Sequence, residues 1–181
     1  MKIPIVNEQD EIIGYKDRKD RNKIDITRII ALWLWNEKGE VLLAQRALEK
    51  KSNPGFWGPA VSGTVEEGET YESNIIKEAE EEIGLRNFKP TLGPKLRRTT
   101  QHSFFAQWFI ATINSSYSLV KQDSEVEAIK WFTKEELFKA MENTPEIFFP
   151  SLKDSALYFF NYDNCELRNS QNINFFPVQI F

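Results

Sequence analysis

Three glutamates, Glu78, Glu81 and Glu82, stand at positions i, i+3 and i+4. On a helix that spacing places them along one side. Like charges so placed weaken a helix by a few tenths of a kcal/mol, roughly, per pair. A hard divalent cation removes the penalty, and Mg²⁺ takes oxygen ligands while bridging to substrate phosphates. The ridge therefore reads either as a metal-dependent phosphate site or as an ordinary solvated acidic face. Lys77 sits directly before it, and Gly63 opens the loop that leads to it.

The element that must carry these groups is an amphipathic helix over 71–83. Glu72, Ile75, Ile76, Ala79 and Ile83 fall on one arc at helical spacing, next to the carboxylates. Gly84 stands where a left-handed residue would end the helix.

The whole stretch from Gly63 to Leu85 resembles the Nudix box, G-x5-E-x7-R-E-U-x-E-E-x-G-U, where U is a bulky aliphatic. Gly63 opens it, Glu69 follows after five residues, and seven more lead to Lys77-Glu78. Ala79, Glu80, Glu81-Glu82, Ile83, Gly84 and Leu85 complete it. Two positions depart from the pattern. Ala79 replaces a larger aliphatic, and Lys77 replaces an arginine that orients the catalytic carboxylates in the family. Lysine keeps the charge but loses the planar fork.

The resemblance implies an α/β (α+β) Nudix fold, a mixed β-sheet sandwiched between helices. It also implies hydrolysis of a diphosphate linkage in a nucleoside-diphosphate-linked or related small molecule. Glu78, Glu81 and Glu82 would ligate Mg²⁺, with Mn²⁺ as a substitute. Lys77 would orient them, and Gly63 would expose a carbonyl or permit the turn that does. The catalytic base would be one of those glutamates or a loop carboxylate near Glu125. Asp123, Glu125 and Glu127 all lie in that region, and sequence does not choose among them. The second reading, kept open by Lys77, is a nucleotide- or diphosphate-binding sensor without turnover.

Closer likeness points to proteins similar to isopentenyl-diphosphate isomerase. The shared features are an N-terminal hairpin, Gln45-Arg46-Ala47, and Pro54-Gly55-Phe56-Trp57 ahead of Ser62-Gly63. That isomerase uses a cysteine in the loop before its box and histidine metal ligands. Here 58–65 has no cysteine, and His102 is the only histidine. Isomerisation is therefore rejected and hydrolysis retained.

The other elements follow from pattern. Short β-prone runs at 3–6 and 12–16 predict a hairpin, and the charged run 17–23 a solvated loop. The apolar run 27–35 predicts a central strand, with 41–46 as its return. Arg46 closes that return strand, either as a solvent-facing end or as a phosphate contact. Phe56 and Trp57 read as core. Runs at 95–100 and 104–112 predict a strand pair with His102 in its turn. Arg97 and Arg98 then fall on opposite faces. A strand at 126–132 precedes a helix capped by Thr133 and Glu136, and 150–161 predicts a last helix.

The balance of 23 basic and 27 acidic residues gives a net charge of −4, which argues against a nucleic-acid polymer as partner. No apolar run reaches membrane-spanning length. A lone cysteine, Cys165, fits a reducing, cytoplasmic setting. One Nudix domain over 1–165 and an apolar tail over 166–181 are expected. The tail would dock on its own domain or, in a homodimer, on a second copy.

Overall fold

The computed structural model describes residues 1–162; Cys165 and the tail 166–181 lie outside that range. The chain order is β1 (Lys2–Val6), β2 (Ile12–Asp17), β3 (Ile26–Asn36), β4 (Val41–Arg46), β5 (Trp57–Pro59), β6 (Val61–Thr64), α1 (Tyr71–Ile83), β7 (Thr91–Thr99), β8 (Ser103–Ile113), β9 (Val126–Phe132), α2 (Lys134–Asn143) and α3 (Leu152–Tyr162). The mixed sheet between helices is the expected fold class.

Strand β3 is the axis. Its apolar run lets both faces be buried. It lies parallel to β8 along its full length, from Ile26 opposite Ser103 to Asn36 opposite Ile113. Alternation sends Ile30, Leu32 and Leu34 to one face, where they meet Ile75, Ala79 and Ile83 of α1. Ala31, Trp33 and Trp35 go to the other, against Leu137 and Met141 of α2 and Ala156, Phe159 and Phe160 of α3. Trp33 stacks on Phe159 with ring centroids 4.7 Å apart. Each such large apolar side chain contributes about 1.5–3 kcal/mol on burial.

The feature that matters for the site is a splay. Strand β4 pairs with β3 at only two positions, Leu42 with Leu34 and Val41 with Trp35. It pairs with β9 along its whole length, and from Leu43 to Gln45 its other edge leaves β3 for β5. Strand β6 takes the vacated edge, opposing Ile29–Leu32 with Thr64–Val61. The gap between the end of β4 and β6 is where α1 lays its acidic side.

Helix α1 has the expected bounds. Thr70 and Ser73 form a reciprocal capping box at its start, and Gly84 ends it at φ 66°. Its buried stripe differs from the expectation. Ile75, Ala79 and Ile83 are buried, but Glu72 and Ile76 are exposed, and Asn74 is fully buried in their place. The arc is rotated because Asn74 has carboxylate partners inside, as set out below. Elsewhere a short 3₁₀ turn, Arg18–Asp20, interrupts the expected loop. Strand β7 begins at Thr91, earlier than expected, because a register shift between Leu92 and Lys95 absorbs Gly93 and Pro94. The Thr133–Glu136 capping box of α2 is present.

Candidate metal and phosphate site

Glu78 and Glu82 lie one helical turn apart on α1 and point toward β6. Gly63 sits in extended strand opposite Ile30, not in a turn. A Cβ placed there would lie 2.8 Å from both Cγ and Cδ of Glu78. Glycine leaves free the space that the Glu78 side chain occupies.

Glu82 reaches the next residue of the same strand. The Ser62 N–H donates to its carboxylate at 3.3 Å. Burial, and next the charge of Glu78, push the Glu82 carboxyl up to about 8. Glu78 is raised as well, first by burial, with the charge of Glu81 adding to it. Two half-sheltered carboxylates one turn apart on the same side of a helix carry this penalty. Glu81 is exposed, on the solvent side of the pair.

Lys77 holds a different part of the box. Its ammonium lies 2.8 Å from Glu69 and 3.3 Å from Glu66, but 3.9 Å from Glu78. Those two bonds outweigh burial and raise its pKa. Burial opposes ionisation of Glu69, yet bonds from Lys77, the Glu66 N–H and Asn74 lower its pKa overall. Asn74 is the link that pattern reading missed. Its amide donates to Glu69 at 2.8 Å and to Glu78 at 3.3 Å. The spacing of four between Asn74 and Glu78 was the available signal.

A small cleft of about 20 Å³ opens beside Glu82, lined also by Arg46, Ser62, Glu125 and Phe149. That is room for about one water or ion. Glu125 arrives there by a chain of backbone bonds. The Val120 N–H bonds Ile83 O, and the Gln122 N–H bonds Glu82 O, so the loop is tied to the end of α1. The absent side chain of Gly84 leaves space for Val120 to approach. The Glu125 carbonyl then accepts from Ala47 N–H, beside the end of β4. Its carboxylate pairs with Lys50. Of the three loop carboxylates, Glu125 is therefore the one at the cleft. Asp123 is exposed and pairs with Lys121, and Glu127 is exposed. Arg46 is half-buried in the cleft wall, its Nε donating to the Ser52 carbonyl at 3.1 Å.

Among the described residues no three Asp, Glu, His or Cys side chains form a complete metal cage. A pair of carboxylates with room for water is nevertheless the donor set Mg²⁺ uses, since it keeps several waters and completes its shell from substrate phosphates. The residues fit the ion. His102 lies in the β7–β8 turn, as expected. Arg97 is paired with Glu8 and stacked over Phe105, 5.6 Å from its ring centre.

A family model for the NUDIX domain matches residues 26–152. The chain belongs to the Nudix family. It is 27% identical to an uncharacterized Nudix hydrolase of Listeria monocytogenes, over 94% of this chain and 97% of that one. It is 30% identical to the isopentenyl-diphosphate Delta-isomerase of Escherichia coli, over 65% of this chain and 68% of that one. A solved Deinococcus radiodurans structure superposes with a TM-score of 0.68 at 23% identity, covering 79% of this chain and 90% of that one. No helix among the described residues is long and apolar enough to cross a membrane.

Proposed function

We propose that this Nudix domain hydrolyses a diphosphate linkage in a small organic or nucleotide-like molecule, with Mg²⁺ or Mn²⁺ as cofactor. The observation that carries the reading is the pair Glu78 and Glu82, one helical turn apart and packed against Gly63 and Ser62 of β6, with both carboxyls raised first by burial. Glu78 and Glu82 would hold the ion, with Glu81 adding charge from the solvent edge. A bound divalent ion supplies neutralisation of phosphate oxygens and a more acidic water.

The remaining residues have distinct tasks. Water oxygen bonds to one phosphorus, the bridging P–O bond breaks, and a phosphate-bearing fragment leaves. Glu125, which lines the same cleft as Glu82, would accept the water proton. Arg46, on the cleft wall, would contact the substrate phosphates. Lys77 and Asn74 position Glu69 and Glu78. Isomerisation is set aside despite the likeness to isopentenyl-diphosphate Delta-isomerases, because the stretch 58–65 that would need a cysteine has none.

The test is phosphate or nucleotide release from a panel of diphosphates, with Mg²⁺, with Mn²⁺ and with chelator. Metal-dependent release lost in Glu78→Gln and Glu82→Gln is expected. Release that survives both substitutions overturns the assignment.

A further inference from the structure

The cleft does not end at Glu82. Phe149, one of its walls, is also a wall of a larger groove of about 560 Å³. Phe56, Met141, Pro145, Phe148 and Pro150 form the rest of its apolar lining, with Glu146 and Lys153 as the only charged side chains among the described residues. Its volume falls in the range of small-molecule sites. The junction is rigidly built. Phe149 N–H donates to Trp57 O at 3.0 Å, and Phe148 bridges to Trp57 as a parallel strand. A Cβ on Gly58 would lie 2.8 Å from the Phe149 ring, so the glycine lets that ring sit against β5. Phe56 meets Phe149 edge-on, with centroids 5.7 Å apart. Phe56 thus lines the groove rather than the core it was expected to join. Trp57, beside it, packs on Phe132 of the core as expected.

The chemistry of the lining selects the occupant. Among the described residues no uncharged hydrogen-bonding side chain faces the groove. A sugar or nucleobase seated there would leave several polar groups without side-chain partners, whereas a hydrocarbon leaves none. The edge-on Phe56–Phe149 pair presents no parallel slot for a flat base. On one side of Phe149 lie the carboxylates and Arg46, suited to a metal-bound diphosphate. On the other lies an apolar trough.

We propose that the groove seats the hydrocarbon group of the substrate, a diphosphate monoester of an apolar alcohol, and so sets the specificity of the site. This rests on the hydrolase reading above. Phe149 and Phe56 are specificity residues. They act on the group that does not react.

The test uses the full chain with Mg²⁺ and non-hydrolysable alkyl methylenediphosphonates of two to eight carbons, binding measured by calorimetry. Affinity should rise about fourfold per methylene over the first carbons, and an adenosine group on the same head should gain less. Phe149→Leu should keep part of that slope, and Phe56→Ala should flatten it. A chain-length-independent affinity overturns the proposal, as does a larger gain from adenosine. A slope that emerges only after removal of residues 166–181 also overturns it, because the chain's own tail is then the occupant. If methylenediphosphonate itself shows no Mg²⁺-dependent binding, the hydrolase reading fails and the groove proposal with it.

Discussion

Gly63→Ala separates two roles a box glycine could have. The residue is extended and paired, so alanine suits its backbone and should stabilise the strand by about 0.5–1 kcal/mol. The added Cβ, however, would stand 2.8 Å from the Glu78 carboxyl carbon. The carboxylate is the free end of a flexible side chain, so it moves aside, and the fold cost should offset the gain to within about 1 kcal/mol of neutral. Function is less tolerant, because a displacement of about 1 Å costs on the order of 10²-fold in rate. The assay pairs urea denaturation in chelator with Mg²⁺-dependent turnover, in the wild type and in a Glu78→Ala background. With Glu78 shortened, Gly63→Ala should become stabilising by about 0.5–1 kcal/mol. Full turnover in Gly63→Ala would refute the reasoning, as would the same stability change in both backgrounds.

Three further outcomes follow from the site. Glu82 is raised from 4.5 to about 8, so between those values the metal-free folded chain keeps a proton that the unfolded chain has lost, and stability falls as pH rises through that window. At about 1.4 kcal/mol per pH unit the ceiling is near 5 kcal/mol, and water entry brings the expected gain of Glu82→Gln at pH 8 to about 2–4 kcal/mol; urea titrations in chelator at pH 5 and 8 check it, and an equal gain at both contradicts it. Lys77→Arg should raise kcat a few-fold, because an arginine fork can hold Glu69 and also close the present 3.9 Å gap to Glu78; activity arising only in the variant would instead identify the natural domain as a sensor. Glu125→Gln should lower kcat about 10²-fold with little change in KM, while Glu127→Gln and Asp123→Asn stay near wild type, and equal losses in all three would remove Glu125 from the mechanism.

Much of this was legible in the sequence, for physical reasons that differ by element. Helix α1 announced itself because Gly84 stops it and Ile75, Ala79 and Ile83 repeat at its period. The apolar run of β3 marked the centre of the sheet. What sequence could not decide was set by long-range placement. Glu125, Asp123 and Glu127 are alike as residues, and only the bonds from loop 120–122 to the end of α1 bring the first to Glu82. The rotation of the α1 stripe arose because buried Asn74 answers Glu69 and Glu78, a polar demand that a hydrophobic-period argument omits. The close approach of Glu78 to Gly63 was likewise not legible, since the two are fifteen residues apart in sequence. Phe149 carried no local signal, because it reaches the cleft only by lying alongside Trp57.

The central claim is that water attacks phosphorus at the cleft between Glu82 and Glu125. The most direct measurement is turnover of the best panel substrate in ¹⁸O-labelled water with Mg²⁺, followed by mass analysis of the phosphate-bearing products. One labelled oxygen on a single phosphate product, with release abolished in Glu82→Gln, is the predicted result. Product carrying label on carbon rather than phosphorus, or an isomer carrying none, would contradict it.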